Sequence, residues 1–364
     1  MNWTALRERF VVLDRYAYLN AGTNGPLARE TIHATALLQA WEAVHGRAGK
    51  PYFDEMLERR ERVRVRIAEQ LAVPAANVAL TDSTTRAVHA SLGAFALAPG
   101  DEVVTTDSEH FGLLGPLVAS GATLRFVPIR ELTAAELFDA IAARVTPRTR
   151  LLALSAVCWL DGKVIPWREL REQTGVPVLV DGAQSVGAIA VDATSADFYT
   201  VSAQKWLCGP DATGALYVRE PETYAPRLVS YPAAASVDLH TGAWEPKPGA
   251  ARFDTGFAPP SSLAGLEAAL TGLPQGRFER ARELAERCRS LLAEAGYEVV
   301  TEPGQATLVS FRCTGDPVAT RLALYDRGVV LRDLPGTGLL RASVGWWNDE
   351  DDLARLVEAL TDVA

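Results

Sequence analysis

The chain has 364 residues, enough for two units sharing a large core, with 48% hydrophobic and 22% charged residues and a formal net charge of -9. That acidic balance weighs against a nucleic-acid surface, and the run Arg59-Arg60-Glu61-Arg62-Val63-Arg64-Val65-Arg66, which alternates with acids and apolar residues, reads as the solvated face of a helix. The opening Met1-Asn2-Trp3-Thr4 lacks a charged-then-apolar signal pattern, and no apolar run approaches the ~20 residues that cross a bilayer, so a cytoplasmic protein without a membrane partner is expected.

In chain order, Val78-Ala79-Leu80 predicts a strand leading into a helix over 84–97. Further strands are predicted at 102–106, 124–128, 151–155, 178–181, 198–201 and 215–218, with a helix over 134–143. Several of these strands are continuous apolar runs, as expected when both faces are covered, and their alternation with helices argues for a largely parallel α/β sheet. The character changes after about residue 225, where 231–235 and 244–249 read as loop. An amphipathic helix over 277–295 ends at Gly296. Strands follow near 298–301 and 307–312, then a helix over 317–327, strands over 329–332 and 339–344, and a last helix over 350–360. The pattern divides the chain into a large unit, 19–240, and a smaller α+β unit made of 241–364 with 1–18 packed against it. The loops 43–54 and 231–260 are the candidates for reading a ligand.

Two strands deliver reactive side chains at their C-terminal ends, where open α/β sheets bind ligands. Val178-Leu179-Val180 delivers Asp181, and Ser202-Ala203-Gln204-Lys205-Trp206 sets a Lys among apolar and amide neighbours. Such a pair suits pyridoxal phosphate (PLP), which needs a Lys for its Schiff base and a carboxylate against its ring nitrogen. Burial would lower the Lys pKa and free its amine to attack an aldehyde. Read singly, Lys205 is also consistent with a surface Lys after a strand, and Asp181 with a cap of the next turn.

Other signals are equally two-sided. Thr81-Asp82-Ser83-Thr84-Thr85 opens a helix, where hydroxyls and free N–H groups either hold a phosphate or simply cap the helix. His110, in Ser108-Glu109-His110-Phe111-Gly112, can stack on a flat ring or move protons, or be a loop His with no role. Arg341 and Arg332 lie on apolar β-runs, where a buried Arg needs an anion, either a substrate carboxylate held bidentately or an internal acid such as Asp333. The four cysteines, Cys158, Cys208, Cys288 and Cys313, form no C-x-x-C pair, so neither a metal site nor a disulfide framework is expected. Cys288 falls on an apolar stripe with Leu284, Leu291 and Leu292 and reads as core.

The order of these features, phosphate turn, His, strand-end Asp with Gln184 three residues on, Ser-x-Gln-Lys and a distal Arg, resembles fold-type I PLP enzymes. Among them it is most similar to the class V aminotransferase group, which includes cysteine desulfurases, cysteine C–S lyases and isopenicillin N epimerase-like proteins. The resemblance runs from Tyr18-Leu19-Asn20-Ala21-Gly22-Thr23-Asn24-Gly25-Pro26 to Arg341-Ala342-Ser343. It implies a large domain built on a mainly parallel seven-stranded sheet, a smaller C-terminal α+β domain, and a homodimer with active sites at the interface. It further implies that Thr84, Thr85, Ser202 and Gln204 hold the cofactor phosphate, that His110 stacks on the ring, and that Gln184 lies near the ring oxygen. Asp181 would meet the ring nitrogen and Lys205 would form the Schiff base. Arg341 would bind the α-carboxylate of a small amino-acid substrate, with Asn24 nearby and Arg332 as a second candidate.

Three departures narrow the chemistry. The stretch 332–339 has no Cys, so a protein persulfide is not expected unless Cys158 or Cys208 substitutes. Ala156 stands where many relatives carry Asn or His, while Trp159 resembles the epimerase-like and lyase-like branches. Asp254-Thr255-Gly256 replaces a common Gly-Thr-Pro, which leaves open the residue that makes a cross-dimer phosphate contact. The favoured reaction is therefore C–S lyase-type β-elimination from a cysteine derivative, ahead of transamination and then epimerisation. The rival classes are a non-catalytic binding protein of the same fold, against which the Asp–Lys pair weighs, and a dinucleotide oxidoreductase, for which no G-x-G-x-x-G run follows a strand.

Overall fold

A computed structural model describes residues 1–363. Seven strands form the central sheet: β1 (Val78–Thr81), β2 (Glu102–Thr106), β3 (Thr123–Val127), β4 (Thr149–Ser155), β5 (Val178–Asp181), β6 (Phe198–Ser202) and β7 (Gly214–Val218). Their order is β1-β7-β6-β5-β4-β2-β3, and all neighbours run parallel except β7, which is antiparallel to both β1 and β6. Helices cover both faces. Val63, Ile67 and Leu263 pack on one, and Val88, Leu113 and Leu117 on the other. This double coverage is why the strands read as unbroken apolar runs.

A second sheet, of β8 (Leu308–Arg312), β9 (Arg332–Leu334) and β10 (Leu339–Ser343), has β10 in the centre, antiparallel to both neighbours. The N-terminal segment docks here. Ala17–Tyr18 pairs in parallel with Val329–Val330, Arg7 bridges Asp349 at 2.9 Å and Asp352 at 2.7 Å, and Phe10 packs against Trp346 and Trp347. Among the described residues no helix is long and apolar enough to cross a membrane.

Several expectations are corrected. Arg60 and Arg64 are not solvated. They are 2% and 4% exposed and share the buried carboxylate of Asp254, at 2.8 and 3.0 Å. The span 43–54 is mostly helical, since helices Arg29–His45 and Lys50–Leu71 are separated only by a break carrying Gly46 and Gly49 at positive φ. A hairpin of Ala234–Val237 and Trp244–Pro246 stands where loop was expected, pinned by backbone pairing that apolar periodicity does not reveal. The strand expected at 298–301 is a single bridge, Val299 to Phe311. The run 329–332 splits, because Val329–Val330 pairs with the N-terminal segment while Arg332 joins the three-stranded sheet.

Candidate active site

Parallel register sets the floor of the site. Ser155 on β4 lies opposite Asp181 on β5, and Asp181 opposite Thr200 on β6, so these C-terminal strand ends share one edge. Asp181 is buried, and its Oδ1 accepts from the Ala183 N–H at 2.9 Å. Lys205 lies in the turn after β6, and burial pulls its pKa down to about 8, with Arg341 and Arg332 adding to the drop and Asp181 opposing it. Its amine is therefore substantially unprotonated near pH 8, the condition a nucleophile or base requires.

The segment Asn20–Gly25 closes one wall. Gly25 donates its N–H to the Gln204 carbonyl at 2.8 Å, and the Ser343 N–H donates to the Leu19 carbonyl at 2.8 Å. The approach demands glycine, since a Cβ on Gly25 would sit 2.0 Å from the Lys205 carbonyl oxygen and one on Gly22 2.6 Å from Arg341 Nη2. Gln184 ties this wall to Lys205's neighbour. Trp206 Nε1 donates to Gln184 Oε1 at 2.9 Å, and Gln184 Nε2 donates to the Gly22 carbonyl at 2.9 Å. An indole N–H can only donate, so the amide orientation is fixed and Gln184 retains one N–H for a ligand.

At the opposite end, Ser83 caps the helix Thr84–Phe95, and Thr84 Oγ1 is buried without a hydrogen-bond partner at that N-terminus. Thr85 is exposed beside it. Ser202 Oγ donates to Gln204 Oε1 at 3.1 Å. His110 Nδ1 accepts from the Gly112 N–H at 3.0 Å, so any proton on the neutral ring is on Nε2. Desolvation and then the Lys205 charge hold its pKa below the ordinary His range, which favours a neutral stacking ring over a proton shuttle. Glu109, which sequence reasoning missed although it precedes His110, is buried. Its Oε1 accepts from Thr106 Oγ1 at 2.9 Å, and its Oε2 accepts from the Ser155 N–H at 3.1 Å and from Ser155 Oγ. Burial pushes its pKa up to about 7, against the pull of these hydrogen bonds.

The third wall is guanidinium. Arg341 is 1% exposed, donates from Nη1 to the Trp159 carbonyl at 2.7 Å, and leaves Nε buried without a partner. Burial and then Arg332 lower its pKa to about 9. Asp333 is not its partner, because it pairs with Arg321 at 2.7 Å. Arg332 donates from Nη1 to Thr23 Oγ1 at 3.2 Å. Asn24 is exposed, and its carbonyl accepts from the Tyr18 hydroxyl at 2.9 Å. Cys158 and Cys208 are both buried, with thiol pKa values pushed upward by desolvation, so neither is poised as a thiolate.

This donor set fits PLP. An orphaned Thr84 hydroxyl at a helix N-terminus suits the phosphate, Asp181 the ring nitrogen, Gln184 the ring oxygen, His110 the ring face and Lys205 the aldehyde.

Comparison with known proteins agrees. The model of the family "Aminotransferase class-V" matches residues 17–356. The chain is 30% identical to isopenicillin N epimerase of Amycolatopsis lactamdurans, covering 100% of this chain and 98% of that protein. It is 33% identical to a probable cysteine desulfurase of Pseudomonas aeruginosa, covering 82% and 81%. The cystine C-S lyase C-DES, solved with its reaction product cysteine persulfide, superposes with a TM-score of 0.89 at 26% identity over 97% of this chain and 99% of that one. The same C-DES has been solved as a mutant with glycine covalently linked to its PLP cofactor. The chain belongs to the class-V aminotransferase family and is a PLP-dependent enzyme.

Proposed function

We propose that this enzyme cleaves the Cβ–S bond of a cysteine derivative by β-elimination, without a protein persulfide, and that cystine is the substrate to test first. The observation that carries the reading is the pair Arg341 and Arg332, two guanidinium groups on one sheet beside Lys205, with no cysteine on the hairpin between them. Among the described residues no acid pairs with Arg341, and a fully buried guanidinium without an anion is costly, so a substrate α-carboxylate suits it. Arg332, tied only to a Thr hydroxyl in hydrogen bonding, is left to meet a second carboxylate such as cystine carries.

When bound, PLP supplies an aldehyde for the substrate amine and a ring that withdraws electrons from Cα. The residues do the rest. With the cofactor bound, Thr84, Thr85, Ser202 and Gln204 would hold its phosphate, Asp181 would serve the ring nitrogen, Gln184 the ring oxygen and His110 the ring face. The Lys205 amine takes the Cα proton, the Cβ–S electron pair leaves on sulfur, and Lys205 returns a proton afterwards. With cystine the sulfur product is cysteine persulfide, and the carbon skeleton leaves as pyruvate and ammonia after hydrolysis. Similarity to an epimerase favours a second reading, in which Cα is reprotonated on the face opposite the one Lys205 deprotonates. Incubating the enzyme with L-cystine separates the outcomes. Pyruvate with ammonia and persulfide supports elimination, D-amino acid product supports epimerisation, and a 2-oxo acid formed only together with pyridoxamine phosphate supports transamination.

The enzyme is further proposed to be a cytoplasmic homodimer, divided into 19–240 and 241–364 with 1–18. Exposed Leu37, Trp41, Val44, Phe53 and Leu57 on helices Arg29–His45 and Lys50–Leu71 supply an apolar face of the kind subunits bury. Four free cysteines suit a reducing compartment. Light scattering on the purified protein reads its oligomeric state.

A further inference from the structure

Trp159 lies three residues beyond Ala156, and its backbone is tightly held. Its hairpin is closed by a bridge from Val157 to Val164, by the Cys158 N–H to the Lys163 carbonyl at 2.8 Å, and by a buried Lys163–Asp161 ion pair at 3.1 Å. Two features aim the residue at the ligand. Its carbonyl accepts from Arg341 Nη1, and its indole stands edge-on to the His110 ring, with centroids 5.2 Å apart and planes at 89°. The indole Nε1 is buried and has no hydrogen-bond partner. Burying a donor unpaired is unfavourable, and an indole N–H cannot switch to accepting. The same neighbourhood holds two more orphaned polar atoms, Arg341 Nε and Ser343 Oγ, while Ala156 offers no side-chain donor at all.

We propose that the Trp159 indole N–H donates to the carboxylate held by Arg341, which makes Trp159 a specificity-determining residue for α-amino acids over simple amines. The proposal rests on the reading of Arg341 as the carboxylate site. A donor that does not ionise beside a fixed guanidinium adds direction without adding charge, so it selects a planar carboxylate and leaves binding of the amine to the cofactor untouched.

The test uses PLP-loaded Lys205→Ala protein, titrated with glycine and with methylamine while the cofactor absorbance is followed. Both probes carry an amine and only glycine carries a carboxylate. The expected result is that adding Trp159→Phe, which keeps a ring against His110, weakens glycine roughly 10-fold and leaves methylamine unchanged. Unchanged glycine binding, or equal weakening of both probes, would overturn the proposal and reduce Trp159 to a packing residue. Arg341→Ala in the same background isolates the underlying reading. If glycine keeps its advantage over methylamine there, the carboxylate assignment itself is wrong. If neither amine perturbs the parent protein, the cofactor assignment fails.

Discussion

Arg332 is the register partner of Arg341 across the antiparallel pairing of β9 and β10, which places two guanidinium groups side by side on one face. Each lowers the pKa of Lys205, and Arg332 lowers that of Arg341. Like charges held together in this way are unfavourable in the free protein, and an anionic ligand relieves the repulsion. A carboxylate is the ligand proposed for this pair, and the division of labour between the two arginines is measurable.

Removing one guanidinium at a time separates the two roles. Arg341→Ala should lower kcat/KM roughly 100-fold for every amino-acid substrate, because a hydrogen-bonded charge contact is lost. Arg332→Ala should lower it roughly 10-fold for cystine and leave S-methylcysteine, which has a single carboxylate, unaffected. Steady-state pyruvate formation from the two substrates checks this. Equal losses on both would show that Arg332 serves the α-carboxylate instead.

Lys205 predicts a pH profile for cofactor capture. Only the free amine attacks an aldehyde, and burial sets its pKa at about 8 in the cofactor-free protein. The second-order rate of PLP binding, followed by stopped-flow absorbance, should rise tenfold per pH unit well below pH 8 and flatten above it. A rise continuing toward pH 10.5 would mean an ordinary exposed lysine, and Lys205→Ala should show no covalent capture at any pH.

The strand ends were legible in the sequence because unbroken apolar runs stop abruptly at Asp181 and Ser202, and parallel sheets put ligands there. Lys205, His110 and Arg341 became candidates through the order of motifs along the chain. What stayed hidden depends on partners distant in sequence. Arg60 and Arg64 read as surface because their shared acid, Asp254, is about 190 residues away. Glu109 carried no signal of its own because its fixed environment comes from Ser155, on another strand. The orphaned indole of Trp159 is a property of three-dimensional packing that no local pattern carries.

Glu109 makes stability fall as pH rises through weak acidity. Its folded pKa, raised to about 7 by burial, exceeds the ordinary value of 4.5, so the folded state holds the proton more tightly than the unfolded chain does. Its contribution is fully present below pH 4.5 and is lost between pH 4.5 and 7, at up to about 1.4 kcal/mol per pH unit. Glu109→Gln cannot titrate. Urea midpoints measured from pH 4.5 to 7.5 should therefore decline less in the variant than in the parent, and parallel curves would show that Glu109 titrates as an exposed acid does.

Asp254 holds the loop that follows it through two buried cations. Its carboxylate accepts from Arg60 at 2.8 Å, from Arg64 at 3.0 Å and from the Leu80 N–H at 2.7 Å, and Arg60 also stacks over Phe257 at 5.2 Å. Asp254→Ala strands both guanidinium groups, although Arg64 keeps Glu61 at 3.1 Å. Breaking a buried pair by deleting one member costs about 3–5 kcal/mol, since the remaining charge stays desolvated. Arg62, on the same helix and half exposed, pairs with Glu267 at 2.6 Å in solvent, where Arg62→Ala should cost under about 1 kcal/mol. Urea denaturation of the two variants should therefore separate neighbouring arginine contacts by several-fold in free energy. Similar small losses in both would mean that the Asp254 carboxylate is dispensable and that packing alone holds the loop carrying Thr255.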